Sequence, residues 1–204
     1  MNDPVAEAWG RITTWLARWA PRTSDALNPP ATAETLARAE RELGFALPPA
    51  LAAWWRINDG MRPSHQGHVI PAFKLYSVTR MLDSRRLWLR IAAEVWSPDV
   101  REAGEHNVAG QPAWAFLPEF VPIGWDGSGD DLLADLRRGP LQGCVRRYNH
   151  QEGALGPPLW PGVPAMLEEV ARALERGNPI RFRTPVVRDG TLTWVITDGP
   201  PAPA

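Results

Sequence analysis

The first half of the chain carries its apolar residues at steps of three and four, the spacing of one face of an α-helix. This period predicts N-terminal helices within residues 4–57, one of them starting after an N-cap at Thr32. The same period returns further along and predicts a long helix over about 77–96, with Ser77 or Thr79 as its N-cap. The N-terminal region is therefore predicted to be largely helical.

Three segments between or after these helices are dominated by turn-forming residues. Residues 20–30, 61–72 and 97–114 each contain Pro together with Ser, Asn or Gly, and each is predicted to be a loop. The second of these segments is expected to lead into a short strand.

From residue 115 the spacing of apolar positions shortens to that of β-strands. We predict a sheet block over residues 115–150, with strands at 120–125, 132–136 and 143–150. A Gly- and Asp-rich turn separates the first two of these strands, and a Gly-Pro turn precedes the third. The chain is thus expected to pass from helices into an antiparallel or mixed sheet.

The C-terminal part returns to the helical period and then ends in paired strands. A helix is predicted over residues 163–176 and a β-hairpin over 180–196, whereas the Pro-rich tail 197–204 is expected to be disordered. This order predicts an α+β fold, with N-terminal helices, a central sheet of several strands backed by helices, and a C-terminal helix and hairpin. We expect residues 1–196 to form a single domain.

Composition narrows the classes of function. The 204 residues carry a net charge of −1, so no basic field favours nucleic acid or an anionic membrane surface. The only cysteine, Cys144, excludes an internal disulfide and any multi-cysteine zinc site. No apolar run approaches a membrane span of ~20 residues, and the N-terminus does not resemble a signal peptide. We expect a cytoplasmic protein, and the sequence leaves its oligomeric state open.

One segment, GWDGSGDDLLADLRRG at residues 124–139, concentrates acidic side chains between two apolar runs. Its glycines and its Asp and Ser side chains are typical of a hairpin turn. A turn alone accounts less well for so many neighbouring like charges, which repel one another. An acidic site facing a cationic partner would make use of that repulsion. The segment carries four aspartates: Asp126, Asp130, Asp131 and Asp135.

A metal site in this segment is the first alternative. Asp126, Ser128 and Asp130 occupy positions 1, 3 and 5 of a calcium-loop pattern. Position 6 of that pattern requires glycine but is Asp131, and position 12 requires glutamate but is Arg137. These departures stand at defining positions, so we expect no metal here.

Catalysis is the second alternative, and the sequence offers little support for it. No serine lies in a Gly-x-Ser-x-Gly elbow, and the histidine pair His65 and His68 is too small for a zinc site. Cys144 lies in a strand pattern, where cysteine is usually a small buried apolar residue. The DGSGD stretch lacks the Gly-Lys-Ser/Thr ending of a phosphate-binding loop. We therefore expect neither an enzyme nor a bound cofactor.

Several stretches together resemble the SUKH superfamily, which takes in the fungal Smi/Knr-type cell-wall synthesis regulator and its bacterial relatives. LPPALAAWWRINDG is similar to the block that opens the family, and VPIGWDGSGDDLLADLRRGPLQGCVRRYNHQ is similar to its central block. The helix VPAMLEEVARALERG and the hairpin PVVRDGTLTW follow in the family's order. The chain departs from the pattern at LWPGVP, before the last helix, and residues 97–114 match no part of it.

The resemblance implies a non-enzymatic protein-binding module with an α+β fold. Bacterial members of the superfamily are inferred to be immunity proteins that bind and block toxin domains, whereas fungal members resemble signalling scaffolds. Applied to this chain, the first role implies a cognate toxin as protein partner, with the acidic turn inserted into a basic cleft. The alternatives of a scaffold with several partners, and of a purely structural turn, remain open. The candidate partner-binding residues are Trp125, Asp126, Ser128, Asp130, Asp131 and Asp135.

Overall fold

The computed structural model describes residues 3–196, so the predicted tail 197–204 lies outside the described residues. Within the described range the chain forms seven helices, a four-stranded antiparallel sheet and a separate two-stranded sheet. The predicted α+β class is thereby confirmed. Among residues 3–196, no helix has the length and apolar character needed to cross a membrane.

Four helices precede the sheet, and their ends follow capping rules. The Asp3 carboxylate accepts the N–H of Val5 at 2.9 Å, and the Thr32 hydroxyl accepts the N–H of Thr35 at 3.1 Å. Residues 20–30 were predicted to be a loop throughout, but a short helix begins there at Pro21, directly after the first helix ends. The four helices are α1 (Pro4–Trp19), α2 (Pro21–Ser24), α3 (Ala33–Leu43) and α4 (Pro49–Ile57).

The predicted long helix is α5 (Val78–Val95), and Ser77 is its N-cap, accepting the N–H of Arg80 at 3.2 Å. Val95, the last residue of this helix, is 65% exposed. The prediction of a loop over 97–114 is wrong in its first half, because α6 (Pro98–His106) forms there. Proline fits the first turn of α6, where its missing N–H has no intrahelical partner to lose.

The four-stranded sheet has the strand order β1-β2-β3-β4, and every neighbouring pair is antiparallel. Alternate side chains point to opposite faces, and both faces are covered. One face joins the large core with α1, α3, α4 and α7, and the other packs a smaller aromatic cluster around Phe116, Phe120 and Tyr148. The strands are β1 (Lys74–Leu75), β2 (Phe120–Trp125), β3 (Asp131–Asp135) and β4 (Cys144–Tyr148).

The C-terminal elements are those that the sequence predicts. Helix α7 (Val163–Arg176) packs on α1, where Arg11 pairs with Glu168 and Glu175 at 2.7 and 2.6 Å. The hairpin forms from β5 (Arg183–Arg188) and β6 (Thr191–Ile196). The hairpin docks on α2, because the Thr23 hydroxyl accepts the N–H of Leu192 at 2.9 Å.

Candidate functional site

The acidic turn, here called the acidic loop, is residues 126–130 between β2 and β3. It begins after the last residue pair of the β2–β3 ladder, Trp125 with Asp131. The backbone N–H of Asp126 donates to the carbonyl of Asp130 at 3.0 Å and closes the turn. Gly127 and Gly129 adopt φ values of +88° and +116°, which favour glycine because a Cβ is strained there. The glycines therefore serve the backbone path of the loop.

The Asp126 carboxylate accepts hydrogen bonds from other groups of the loop. It accepts the N–H of Ser128 at 2.8 Å, the Ser128 hydroxyl at 2.6 Å and the N–H of Asp130 at 3.1 Å. This is the local side-chain-to-backbone bonding that Asp favours in turns. The Asp126 side chain is only 13% exposed, whereas Ser128 is exposed to solvent.

Asp130 is buried and bound to groups at the end of β4. Its carboxylate accepts Arg147 Nε at 2.6 Å, Asn149 Nδ2 at 3.1 Å and the backbone N–H of His150 at 3.0 Å. His150 Nδ1 lies 2.7 Å from the same carboxylate. Burial acts to raise the pKa of Asp130, but the hydrogen bonds from His150 and Arg147 outweigh burial and hold this pKa below its usual value.

Asp131 is also buried, but its partners are neutral groups from outside the loop. Tyr76 donates its hydroxyl to Oδ1 at 2.9 Å, while Ser84 and the Trp88 indole N–H donate to Oδ2 at 2.5 and 2.9 Å. Burial raises the pKa of Asp131 to about 6 despite these three bonds. The carboxylate thus holds its charge less readily than an exposed aspartate does.

Asp135 lies at the other end of β3 and belongs to a buried ion-pair network. Arg137 Nη2 and Arg146 Nη1 lie 2.7 and 3.2 Å from Oδ2 of Asp135, and all three side chains are at most 2% exposed. Burial acts to raise the pKa of Asp135, and the bonds from Arg137 reverse that effect, so this pKa is lowered. The two arginines also donate to the carbonyl of Gln111 and so hold the segment after α6 against the sheet.

The six candidate partner-binding residues differ in exposure. Asp130, Asp131 and Asp135 are at most 3% exposed, a burial that the sequence did not predict. The repulsion expected among the carboxylates is relieved inside the protein, since Asp130 and Asp135 each have arginine partners. Trp125, Asp126 and Ser128 retain access to solvent, and their contact with a partner stays a prediction.

A cavity of about 260 Å³ opens beside the loop, and most of its lining was missed by sequence reasoning. Trp88, which lies on α5, is one of these residues. A tryptophan that packs in a protein usually finds a partner for its indole N–H, so its place on a predicted helix was a signal for a nearby acceptor. The cavity is lined by Tyr76, Ser84, Leu87, Trp88, Trp125 and Asp131, with Arg80, Asp83 and Gly129 completing its wall.

The remaining candidate groups do not assemble around this cavity. Cys144 is buried in β4, and burial raises the pKa of its thiol to about 11, which disfavours the reactive thiolate. His65 Nε2 lies 3.0 Å from the Thr23 hydroxyl, away from the acidic loop. Within residues 3–196, no three side chains of the His, Cys, Asp or Glu type are grouped as metal ligands.

Comparison with known proteins identifies the family to which the chain belongs. A protein from Debaryomyces hansenii named KNR4/SMI1 homolog 1 is 25% identical over 91 residues, which cover 43% of this chain and 20% of that protein. The chain thus matches about a fifth of the length of this relative. The family model of the SMI1 / KNR4 family (SUKH-1) matches residues 30–169, a span that contains α3 to α6, the whole four-stranded sheet and the acidic loop. The chain therefore belongs to the SMI1 / KNR4 family (SUKH-1), as the resemblance of its sequence predicted.

Proposed function

We propose that this chain is a non-enzymatic protein-binding module, an immunity protein that binds and neutralises a cognate bacterial toxin domain in the cytoplasm. The observation that carries the proposal is the loop between β2 and β3, which is hydrogen-bonded through Asp126 and Asp130 and lies beside the half-buried Trp125 and the aromatic cavity. Membership in the SMI1 / KNR4 family (SUKH-1) supports a binding role in general.

Rigidity of the loop favours binding because little flexibility is lost when a partner docks. Asp126 accepts two backbone N–H groups of the loop, and Asp130 fixes the loop end to β4. A loop that is ordered before association avoids the entropic cost of ordering at the interface. Tryptophan is among the residues that contribute most to protein interfaces, which favours Trp125 as the centre of the contact.

The environment of the titratable groups favours binding over catalysis. The pKa of Asp131, about 6, lies in the range of a general acid or base. Tyr76, Ser84 and Trp88 already donate to its two oxygens, so three of the about four lone-pair positions of the carboxylate are used and its burial keeps it away from a substrate proton. The thiol of Cys144 is buried and hard to ionise.

A second candidate function is an intracellular scaffold or regulator with several partners. The observation in its favour is the similarity to the Debaryomyces hansenii protein named KNR4/SMI1 homolog 1. The two functions differ in the number and strength of partners. An immunity protein binds one toxin tightly, whereas a scaffold binds several proteins weakly.

The test is capture of partners from the source cells by the tagged chain, followed by a protection assay. The captured protein is expressed in a bacterial host alone and together with this chain. We expect one dominant partner that arrests growth alone and is neutralised by co-expression. Several weakly retained and harmless partners would instead support the scaffold.

The surface is tested with a matched pair of tryptophan variants. Trp125→Ala should weaken capture and protection at least tenfold, because it removes the central aromatic contact. Trp19→Ala is the control, since Trp19 is 52% exposed at the end of α1 and is not part of the cavity. If both variants lose capture and protection equally, or Trp125→Ala loses neither, the interface does not lie at the loop.

A further inference from the structure

Asp131 differs from the other buried carboxylates of the loop and its strand. Asp130 is paired with Arg147, and Asp135 is paired with Arg137 and Arg146. In the part of the chain that the structure describes, no lysine, arginine or histidine forms an ion pair with Asp131. A buried carboxylate without a cation is costly, because hydrogen bonds from neutral groups replace only part of its lost hydration.

The cavity beside Asp131 has aromatic walls suited to a cation. Trp88, Trp125 and Tyr76 line it together with the methylene and methyl groups of Leu87, which is 44% exposed. Faces of tryptophan and tyrosine rings attract positive charge, most strongly where water is partly excluded. Trp125 already takes part in such a contact within the chain, since Lys74 Nζ lies 5.4 Å from the centre of its ring.

We propose that this cavity receives a positively charged side chain, a lysine or an arginine, presented by the partner protein. The cation would lie against the rings of Trp88 and Trp125 and be countered by the carboxylate of Asp131. The inference rests on the proposed function and adds to it the chemistry of the partner residue at this position. A volume of about 260 Å³ is sufficient for one long side chain.

The surrounding charges set how strongly the cavity favours a cation. Asp83 adds a second carboxylate to the lining, although its side chain also pairs with Arg86 at 2.6 Å. Asp126 acts on Asp131 as a further negative charge. Arg80 lines the cavity as a like charge and opposes the proposed occupant. Removal of Arg80 should therefore strengthen cation binding, a direction that simple apolar packing would not produce.

The test is an NMR titration of the indole N–H signals of the full chain with small probes. The probes are N-acetyl-lysine amide, N-acetyl-arginine amide and the neutral N-acetyl-norleucine amide. We expect at least one cationic probe to shift the signals of Trp88 and Trp125, with the neutral probe about tenfold weaker. The signal of Trp19 should remain in place. Equal shifts with the neutral probe, or no shift with either cation, would overturn the inference.

Two variants make the titration specific to the cavity. Trp125→Leu should abolish the shift of Trp88 by the cationic probe, and Arg80→Gln should increase the affinity severalfold. Both positions retain solvent access, so neither substitution removes a fully buried side chain. If the cationic probe binds both variants as tightly as the original chain, it binds outside the cavity, and the inference is contradicted.

The outcome is distinguishable from that of the proposed function. A toxin that is captured and neutralised through Trp125, while no cationic probe binds, would overturn the cavity inference and leave the immunity role standing. Probe binding in a chain that neutralises no toxin would overturn the immunity role and support the cavity as a site for cationic side chains.

Discussion

The indole N–H of Trp88 donates a 2.9 Å hydrogen bond to the carboxylate of Asp131. This bond joins α5 to the first residue of β3, next to the acidic loop. Ser84, one turn earlier on α5, donates to the same oxygen at 2.5 Å. The helix therefore supports the site directly, and the charge of Asp131 depends on groups that lie far from it in the sequence.

Replacement of Asp131 by Asn should stabilise the protein at high pH and lose this advantage in acid. Burial raises the folded pKa of Asp131 to about 6 from an ordinary value of 3.8. The folded state therefore binds this proton more tightly than the unfolded state, and ionisation destabilises the fold fully above pH ~6 and not at all below pH ~4. Asp131→Asn should have a free energy of unfolding higher by about 3 kcal/mol at pH 8, with the difference vanishing near pH 4.

Urea unfolding of both proteins at pH 8, 6 and 4 measures this difference. The asparagine amide fits the hydrogen bonds, because its oxygen accepts from Trp88 and its nitrogen can donate to the hydroxyl of Tyr76. Arg80, Asp83 and Asp126 keep their charges in both proteins, but their interaction with the ionised Asp131, such as the repulsion from Asp126, is lost in the variant and forms part of the difference. A difference that does not change with pH would show that ionisation of Asp131 has no effect on stability.

Local signals explain why most of the fold was predictable. Thr32 and Ser77 cap helices as their positions in the sequence predicted, and the change of period at residue 115 marks the start of the sheet region. Helix α6 was missed because its nine residues include a glycine and little apolar periodicity. It is held in place by long-range contacts, such as the bond from Arg137 to the carbonyl of Gly104.

The site was less predictable, because its chemistry depends on pairings between distant residues. The aspartates of the loop were recognised as a group, but sequence spacing alone did not show that Asp135 meets Arg146 across the sheet. Nor did it show that Asp131 meets Tyr76 and Trp88 rather than solvent. Burial of these side chains is a property of the folded sheet and α5 together, so it emerges only when the elements are packed.

Loss of the Asp135 carboxylate should be strongly destabilising. Asp135→Ala would leave the guanidinium groups of Arg137 and Arg146 buried without their counter-ion. Breaking a buried ion pair from one side typically costs ~3–5 kcal/mol of unfolding free energy. Asp83→Ala is the matched control, since its ion pair with Arg86 is exposed and should contribute less than ~1 kcal/mol. Urea midpoints at neutral pH compare the two, and similar small losses would contradict the role of the network.

Removal of the Asp126 carboxylate should loosen the loop without unfolding the sheet. Asp126→Ala deletes the acceptor of the backbone N–H groups of Ser128 and Asp130. Amide hydrogen exchange at these two positions should become at least tenfold faster, because their protection depends on local bonds. Ser128→Ala is the control, since it removes one hydroxyl bond and keeps both backbone bonds. Equal exchange rates in the two variants would assign the order of the loop to the glycines and to Asp130 instead.

Two glycines outside the loop should respond to alanine in opposite directions. Gly60 has φ +74°, and a Cβ added there would lie 2.4 Å from the carbonyl carbon of Tyr76. A residue with a Cβ in the left-handed backbone conformation costs ~1–2 kcal/mol of stability, and the steric clash with Tyr76 adds to this cost. Gly60→Ala should therefore lower the free energy of unfolding by more than ~2 kcal/mol. Gly10 lies within α1 with no atom within 4 Å of an added Cβ. Gly10→Ala should therefore raise the free energy of unfolding by ~0.5–1 kcal/mol.

The Gly60 variant also tests whether the backbone of Tyr76 positions the site. Displacement of this backbone would move the hydroxyl that donates to Asp131 at 2.9 Å, so the indole N–H signal of Trp88 should shift along with the loss of stability. Gly10→Ala changes no contact near the cavity and should leave that signal in place. If Gly60→Ala lowers stability without moving the Trp88 signal, Tyr76 does not transmit the change to Asp131, and the cavity keeps its geometry independently of the segment before α5.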